Sequence, residues 1–175
     1  AVKSAGFPVT QRTADRAMQN VSWPGRMQRL NTGRLVDLAP PGAEIWLDGG
    51  HNPGAGLVVA EALTEMEEKR ERPLFMIAGM INTKDQTGYF RAFHGMARHV
   101  FAVPVSSSDA GVPNAELAAR AMDAGLSAEP VASVANALML LRDTWDEREP
   151  APRILIGGSL YLAGAVLAEN DTVPE

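Results

Sequence analysis

The sequence predicts an α/β domain: a Rossmann-like three-layer arrangement with a mainly parallel sheet and a short hairpin at its N-terminal side. Two observations carry this expectation. From Glu44 onward, short apolar runs of strand length alternate with longer segments of helical periodicity, an order that places helices on both faces of a parallel sheet. Several of these apolar runs end in glycine or a small polar residue and lead straight into a helix, the turn at which open parallel sheets gather ligands.

Taken in order, the strands are expected at Glu44–Asp48, Pro73–Gly79, Val100–Val105, Glu129–Ala132 and Arg153–Gly157. The first helix, Ala55 to Lys69, lines up Ala55, Val59, Leu63 and Met66 on one face. A second helix, Gln86 to Arg98, offers Phe90, Phe93 and Ala97 at helical spacing, and a third runs from Asn114 to Ala124. In the fourth, Ser133 to Glu147, Val134, Leu138, Leu141 and Trp145 form the apolar stripe. The last, Ser159 to Glu169, is apolar nearly all round and is expected to be well buried. Upstream, Thr13 to Val21 reads as a short helix capped by Thr10 or Thr13, broken by Trp23-Pro24-Gly25. Gln28–Leu30 and Arg34–Leu38, flanking Asn31-Thr32-Gly33, read as a β-hairpin. The polar tail from Asn170 is expected to fray.

Bulk properties bound the function. The chain has 175 residues, 46% of them hydrophobic and 21% charged, with a formal net charge of −5 and no cysteine. That is the composition of a globular domain with a sizeable core. It excludes thiolate metal sites and disulfides and argues against nucleic acid or an anionic membrane as a main partner. No apolar run approaches the ~20 residues of a membrane span and no signal-peptide pattern is present, so a cytoplasmic protein is expected.

The segment Leu47-Asp48-Gly49-Gly50-His51-Asn52-Pro53 joins the first strand to the first helix. Asp48 can accept from ribose hydroxyls, His51 can donate to a phosphate or carboxylate, and the free N–H groups of the helix start favour anions. Gly157-Gly158-Ser159 makes a second such turn after the last strand, where Ser159 serves either a ligand or only the helix as its N-cap. Lys84-Asp85 follows the Pro73–Gly79 strand at the same sheet edge, as a ligand contact or a solvated pair. Neither a Walker A pattern, GxGxxG nor GxSxG occurs, which argues against a self-sufficient nucleotide hydrolase, a dinucleotide dehydrogenase and a nucleophile elbow. His94 and His99, five apart, would sit on different helix faces, and no metal site is expected. Met76, Met80, Met96, Met122 and Met139 are expected in the core, and Glu65 to Arg72 as a solvated charge run.

Four pieces together resemble the C-terminal domain of folylpolyglutamate synthase/dihydrofolate synthase, of the Mur ligase superfamily: Trp23-Pro24-Gly25-Arg26-Met27-Gln28, Leu47-Asp48-Gly49-Gly50-His51-Asn52-Pro53, Gly79-Met80 with Lys84-Asp85, and Gly157-Gly158-Ser159-Leu160-Tyr161-Leu162-Ala163-Gly164. The commonest family form has alanine where Gly50 stands, a change expected to preserve the geometry. The resemblance implies a ligase that phosphorylates a carboxylate with ATP and magnesium and then joins it to glutamate, with dihydropteroate or a folate as acceptor. It implies Arg26, Asp48, His51 and Asn52 at ATP, His51, Ser159 and Lys84 at glutamate, and His51 and Asp48 in catalysis. The phosphate loop, the magnesium ligands and most of the pterin site lie in the family's larger N-terminal domain. Residues 1–22 are therefore expected to be the end of an ATPase domain and its linker, 23–170 the glutamate-ligase domain, and 171–175 a tail, with the isolated piece monomeric and inactive. A peptidoglycan-precursor amino-acid ligase and a non-catalytic α/β binding domain are the alternatives.

Overall fold

A computed structural model describes residues 4–20 and 23–172. Its sheet contains β1 (Gln28–Leu30), β2 (Glu44–Asp48), β3 (Leu74–Ala78), β4 (Ala97–Ala102), β5 (Ala128–Pro130) and β6 (Arg153–Gly157), in the spatial order β1-β2-β6-β3-β4-β5. Only β1 runs antiparallel, against β2; the other pairings are parallel. The helices are α1 (Gln11–Asn20), α2 (Arg34–Asp37), α3 (Pro53–Lys69), α4 (Gln86–Arg91), α5 (Asn114–Asp123), α6 (Val134–Thr144) and α7 (Leu160–Glu169). No described helix is long and apolar enough to cross a membrane.

Period-two alternation splits the sheet's side chains between two cores. Ile45, Leu47, Phe75, Ile77, Ile154 and Ile156 pack with Leu35, Leu138 and Val166, from α2, α6 and α7. On the other face Met76, Ala78, Val100 and Leu155 pack with Val59, Phe90 and Leu117, from α3, α4 and α5. The chain moves outward from β3 to β5, then returns through α6 to place β6 between β2 and β3. Right-handed crossovers demand that the returning helix lie on the opposite face, as the two cores show.

Several expectations are corrected. The hairpin does not form: β1 pairs with β2, and residues 34–37 are a helical turn. Its cause is tertiary. Leu35 is fully buried, and its N–H donates to the Asn170 side chain at 2.9 Å, a partner from the far end of the chain. Asn170 accordingly is buried rather than frayed, and it also donates to Thr32 O at 2.9 Å. Residues 173–175 lie outside the described residues, as does Val21 at the end of the first expected helix; the cap there is Thr10, accepting from Thr13 N at 3.1 Å.

The helix expected to reach Arg98 stops at Arg91, because Ala97 and Arg98 already belong to β4; His94 thus sits in a turn and His99 on a strand. Met122 is 53% exposed, and α7 leaves Leu160 and Tyr161 half exposed. Nor is the charge run fully solvated. Arg72 is buried and joins Glu44, Glu67 and Arg153 in an ion network beneath the amino ends of β2 and β6.

Candidate functional site

The three central strands deliver their carboxyl ends side by side: Gly157 of β6 is in register with Asp48 of β2 and with Ala78 of β3. Gly79 N donates to Gly157 O at 3.1 Å and carries the alignment one residue further. Three loops therefore rise from one line: Gly49–Asn52, Gly79–Asp85 and Gly157–Ser159. Residues of all three line one cleft of about 180 Å³, formed by His51, Ile81, Lys84, Ser159, Leu160 and Tyr161.

His51 Nδ1 lies 3.0 Å from Gly49 O. A carbonyl can only accept, so Nδ1 carries the proton and Nε2 is left for a ligand, as acceptor when the ring is neutral and donor when it is charged. Lys84 forms no ion pair among the described residues. Its loop is braced: Val112 N donates to Met80 O at 2.9 Å, Asn82 N to Ala110 O at 2.8 Å, and Gln86 Nε2 to Ile81 O at 2.9 Å. Lys84 and Asp85 are not paired; Asp85 caps α4 by accepting from Gly88 N at 2.8 Å.

Ser159 is buried and caps α7, its Oγ accepting from Leu162 N at 3.0 Å. An oxygen that accepts this bond still has its own O–H to donate, so capping and ligand contact are compatible. Gly158, at φ 102, takes a conformation that a side chain would strain, and a Cβ there would lie 2.7 Å from Met80 Cγ.

Three expected site residues stand outside this cleft. Asp48 is 4% exposed, and each carboxylate oxygen takes a backbone N–H: Oδ1 from Gly50 at 2.6 Å and Oδ2 from Met27 at 2.9 Å. Its geometry is that of a clamp on the loop rather than of an open acceptor for ribose. Arg26 is exposed beside that clamp, with Nη1 donating to Gly25 O at 3.2 Å. Gly49 makes room for it, since a Cβ there would collide with Leu160 and lie 2.8 Å from Arg26 Nη1. Asn52 caps α3, accepting from Ala55 N at 2.9 Å, and its amide N–H groups remain available. The alanine expected to fit at Gly50 would place its Cβ 2.7 Å from Asp48 Oδ1, so that form requires the carboxylate to turn.

Tyr89, on α4, was not legible as a site neighbour. It is fully buried among Phe90 and Phe93, yet its hydroxyl has no hydrogen-bond partner among the described residues. Burial, and then the charge of Asp48, raise its pKa above that of ordinary tyrosine. Its only sequence signal was a phenol in an apolar helix stripe. No group of three or more His, Asp or Glu among the described residues could hold a metal ion.

Comparison with known proteins adds the family context. No protein-family model matches the chain. Folylpolyglutamate synthase of Lacticaseibacillus casei is 25% identical over 171 residues, covering 94% of this chain and 33% of that protein. The probable bifunctional folylpolyglutamate synthase/dihydropteroate synthase of Halobacterium salinarum is 31% identical over 149 residues, covering 83% of this chain and 16% of its own length. The chain is thus similar in sequence to folylpolyglutamate and dihydrofolate synthases. Solved structures of these synthases share its fold: E. coli FolC in complex with DHPP and ADP at TM-score 0.77, 18% identity and 98% of this chain, and Mycobacterium tuberculosis folylpolyglutamate synthase with ADP and AMPPCP at TM-score 0.78, 18% identity and 99%. The chain covers 37% and 38% of those two chains. It thus spans about a third of the Lacticaseibacillus protein and of both structures.

Proposed function

We propose that this chain is the C-terminal domain of an ATP-dependent folate ligase that adds glutamate to dihydropteroate, to folates or to both, and that residues 23–170 form its glutamate-handling unit. The observation that carries the reading is the cleft in which His51, Lys84 and Ser159 meet from three separate loops. A lysine, an imidazole and a hydroxyl donor in one small cleft suit a substrate carrying carboxylates.

In the proposed reaction the acceptor carboxylate attacks the γ-phosphorus of ATP and ADP leaves. The glutamate amine then attacks the acyl carbon, phosphate departs with the C–O bond pair, and the amine loses a proton. Such chemistry needs positioning and charge stabilisation more than a protein nucleophile. Lys84 and the Ser159 hydroxyl hold the glutamate carboxylates, and the positive end of the ten-residue α7 adds to them. His51 Nε2, fixed by the bond from Nδ1 to Gly49 O, faces the amine or the phosphate. Arg26 reaches the ATP phosphates, and Asn52 adds amide donors. Asp48 acts as a positioning residue: it fixes the backbone of Met27, next to Arg26, and that of Gly50, next to His51. No group of three or more His, Asp or Glu among the described residues could hold a metal ion, and the magnesium ligands, the phosphate loop and most of the pterin site are assigned to an ATPase domain outside residues 1–175.

The test is glutamate-dependent phosphate release by the full-length polypeptide that carries this chain, with dihydropteroate and tetrahydrofolate compared as acceptors. Residues 1–175 alone are expected to release none. Turnover by residues 1–175, or turnover indifferent to glutamate, contradicts the proposal.

A further inference from the structure

The edge of the sheet opposite the candidate site holds a larger cavity, about 340 Å³, under the C-terminal end of α3. Leu63, Leu74 and Met96 supply apolar wall, and Arg72, Arg153 and Glu67 supply polar groups. Both guanidinium side chains are nearly inaccessible, 6% exposed for Arg72 and 3% for Arg153. Arg72 Nη1 donates to Gly42 O at 2.9 Å and Ala151 O at 2.8 Å, and Arg153 Nη2 to Arg70 O at 3.2 Å. Glu44, 13% exposed, lies between them, 3.4 Å from Arg72 Nε and 3.3 Å from Arg153 Nε.

One carboxylate does not balance two buried cations. Glu67 completes the charge, accepting from Arg153 Nη1 at 2.9 Å and from the Arg72 backbone N–H at 3.1 Å, but its own side chain is 45% exposed. A carboxylate so close to water regains its solvation when it leaves its seat, whereas the two buried guanidinium groups cannot follow it and need another anion in its place. We infer that this cavity binds a small apolar monocarboxylate, whose carboxylate takes the place of Glu67 on Arg153 Nη1 and the Arg72 N–H while its apolar body lies against Leu63, Leu74 and Met96.

Charge sets the class of ligand. With Glu67 displaced, the buried Arg72 and Arg153 against Glu44 leave one positive charge to match, and Arg29, 49% exposed and 3.8 Å from the same Glu44, adds a solvated cation at the rim. Arg98, the other cation lining the cavity, is already paired with Glu149. Gly95 also lines the cavity, with open space where a Cβ would stand. The inference is independent of the proposed ligase activity, which concerns the other edge of the sheet.

Hexanoate serves as the probe, hexanamide as its uncharged control, and amide shifts in ¹H–¹⁵N spectra of residues 1–175 as the readout. Hexanoate is expected to move the Arg72 and Gly95 amides saturably, hexanamide to bind at least about tenfold more weakly, and Glu67→Gln to tighten hexanoate by about tenfold by removing the resident competitor. Met96→Trp, which fills the cavity, should abolish the response. Equal responses to acid and amide overturn the inference, as do the absence of a saturable Arg72 shift, a response that survives Met96→Trp, or a folded Glu67→Gln with unchanged affinity. If Glu67→Gln does not fold, the wild-type titrations and Met96→Trp decide the matter.

Discussion

Asp48 Oδ2 accepts a hydrogen bond at 2.9 Å from the backbone N–H of Met27, 21 residues earlier in the chain. Met27 is one of two non-glycine residues with positive φ among those described, at 40°. Such a conformation persists only where the surroundings impose it. The carboxylate imposes it, joining the segment that carries Arg26 to the loop that carries His51.

Asp48→Asn is therefore expected to destabilise the fold by about 2 kcal/mol, because the amide turns an NH₂ toward one of two backbone donors that each met a charged acceptor. Urea unfolding measures it. A variant within about 0.5 kcal/mol of wild type removes the clamp from the account.

Ser159 caps α7 on any reading, so Ser159→Ala should cost about 1 kcal/mol of stability. Asn and Asp are equally good caps and separate the two roles. In the full-length polypeptide, Ser159→Asp should keep its melting temperature while KM for glutamate rises sharply, since the new charge faces an anionic substrate. An unchanged KM returns Ser159 to capping alone.

Tyr89 predicts a pH dependence. Its folded pKa is raised, by burial first and the charge of Asp48 second. The neutral phenol is thus favoured in the folded state, and the unfolded chain loses this proton first. Its contribution is fully present below about pH 10 and is lost as pH rises beyond, at about 1.4 kcal/mol per pH unit. Stability of Tyr89→Phe should fall less steeply above pH 10, and at neutral pH the variant should be no less stable than wild type, because the hydroxyl it removes has no partner among the described residues. Equal slopes for the two proteins contradict this.

The parts of the fold that the sequence displayed are those set by local pattern. β2 and β6 run over the expected residues because apolar runs bounded by Pro, Gly and acid leave little choice of register. The strand-end loops followed, and with them the meeting of His51, Lys84 and Ser159. What stayed hidden depends on partners distant in sequence. α2 replaced a hairpin because Asn170 captures the Leu35 N–H. Asp48 looked like an open acceptor because the N–H it takes from Met27 lies on another segment. Arg72 belonged by composition to a solvated charge run and Arg153 to the start of a strand, and only the pairing of β2 with β6 brings Glu44 between them.

That network gives a fourth prediction. Glu44→Gln removes the one carboxylate shared by two buried guanidinium groups and should cost about 3 kcal/mol, the penalty for leaving buried charge uncompensated. Thermal or urea unfolding of residues 1–175 checks it, and a loss below about 1 kcal/mol shows the network to be solvated.

The central claim is that the cleft between the three strand ends handles glutamate, with His51 Nε2 at the reacting groups. Its most direct test is glutamate-dependent product formation by the full-length polypeptide carrying His51→Ala. The account predicts a folded protein with an unchanged melting temperature and a kcat/KM lower by about 10²-fold, a loss of about 2.7 kcal/mol of transition-state stabilisation. A folded His51→Ala variant that retains wild-type kcat/KM contradicts it.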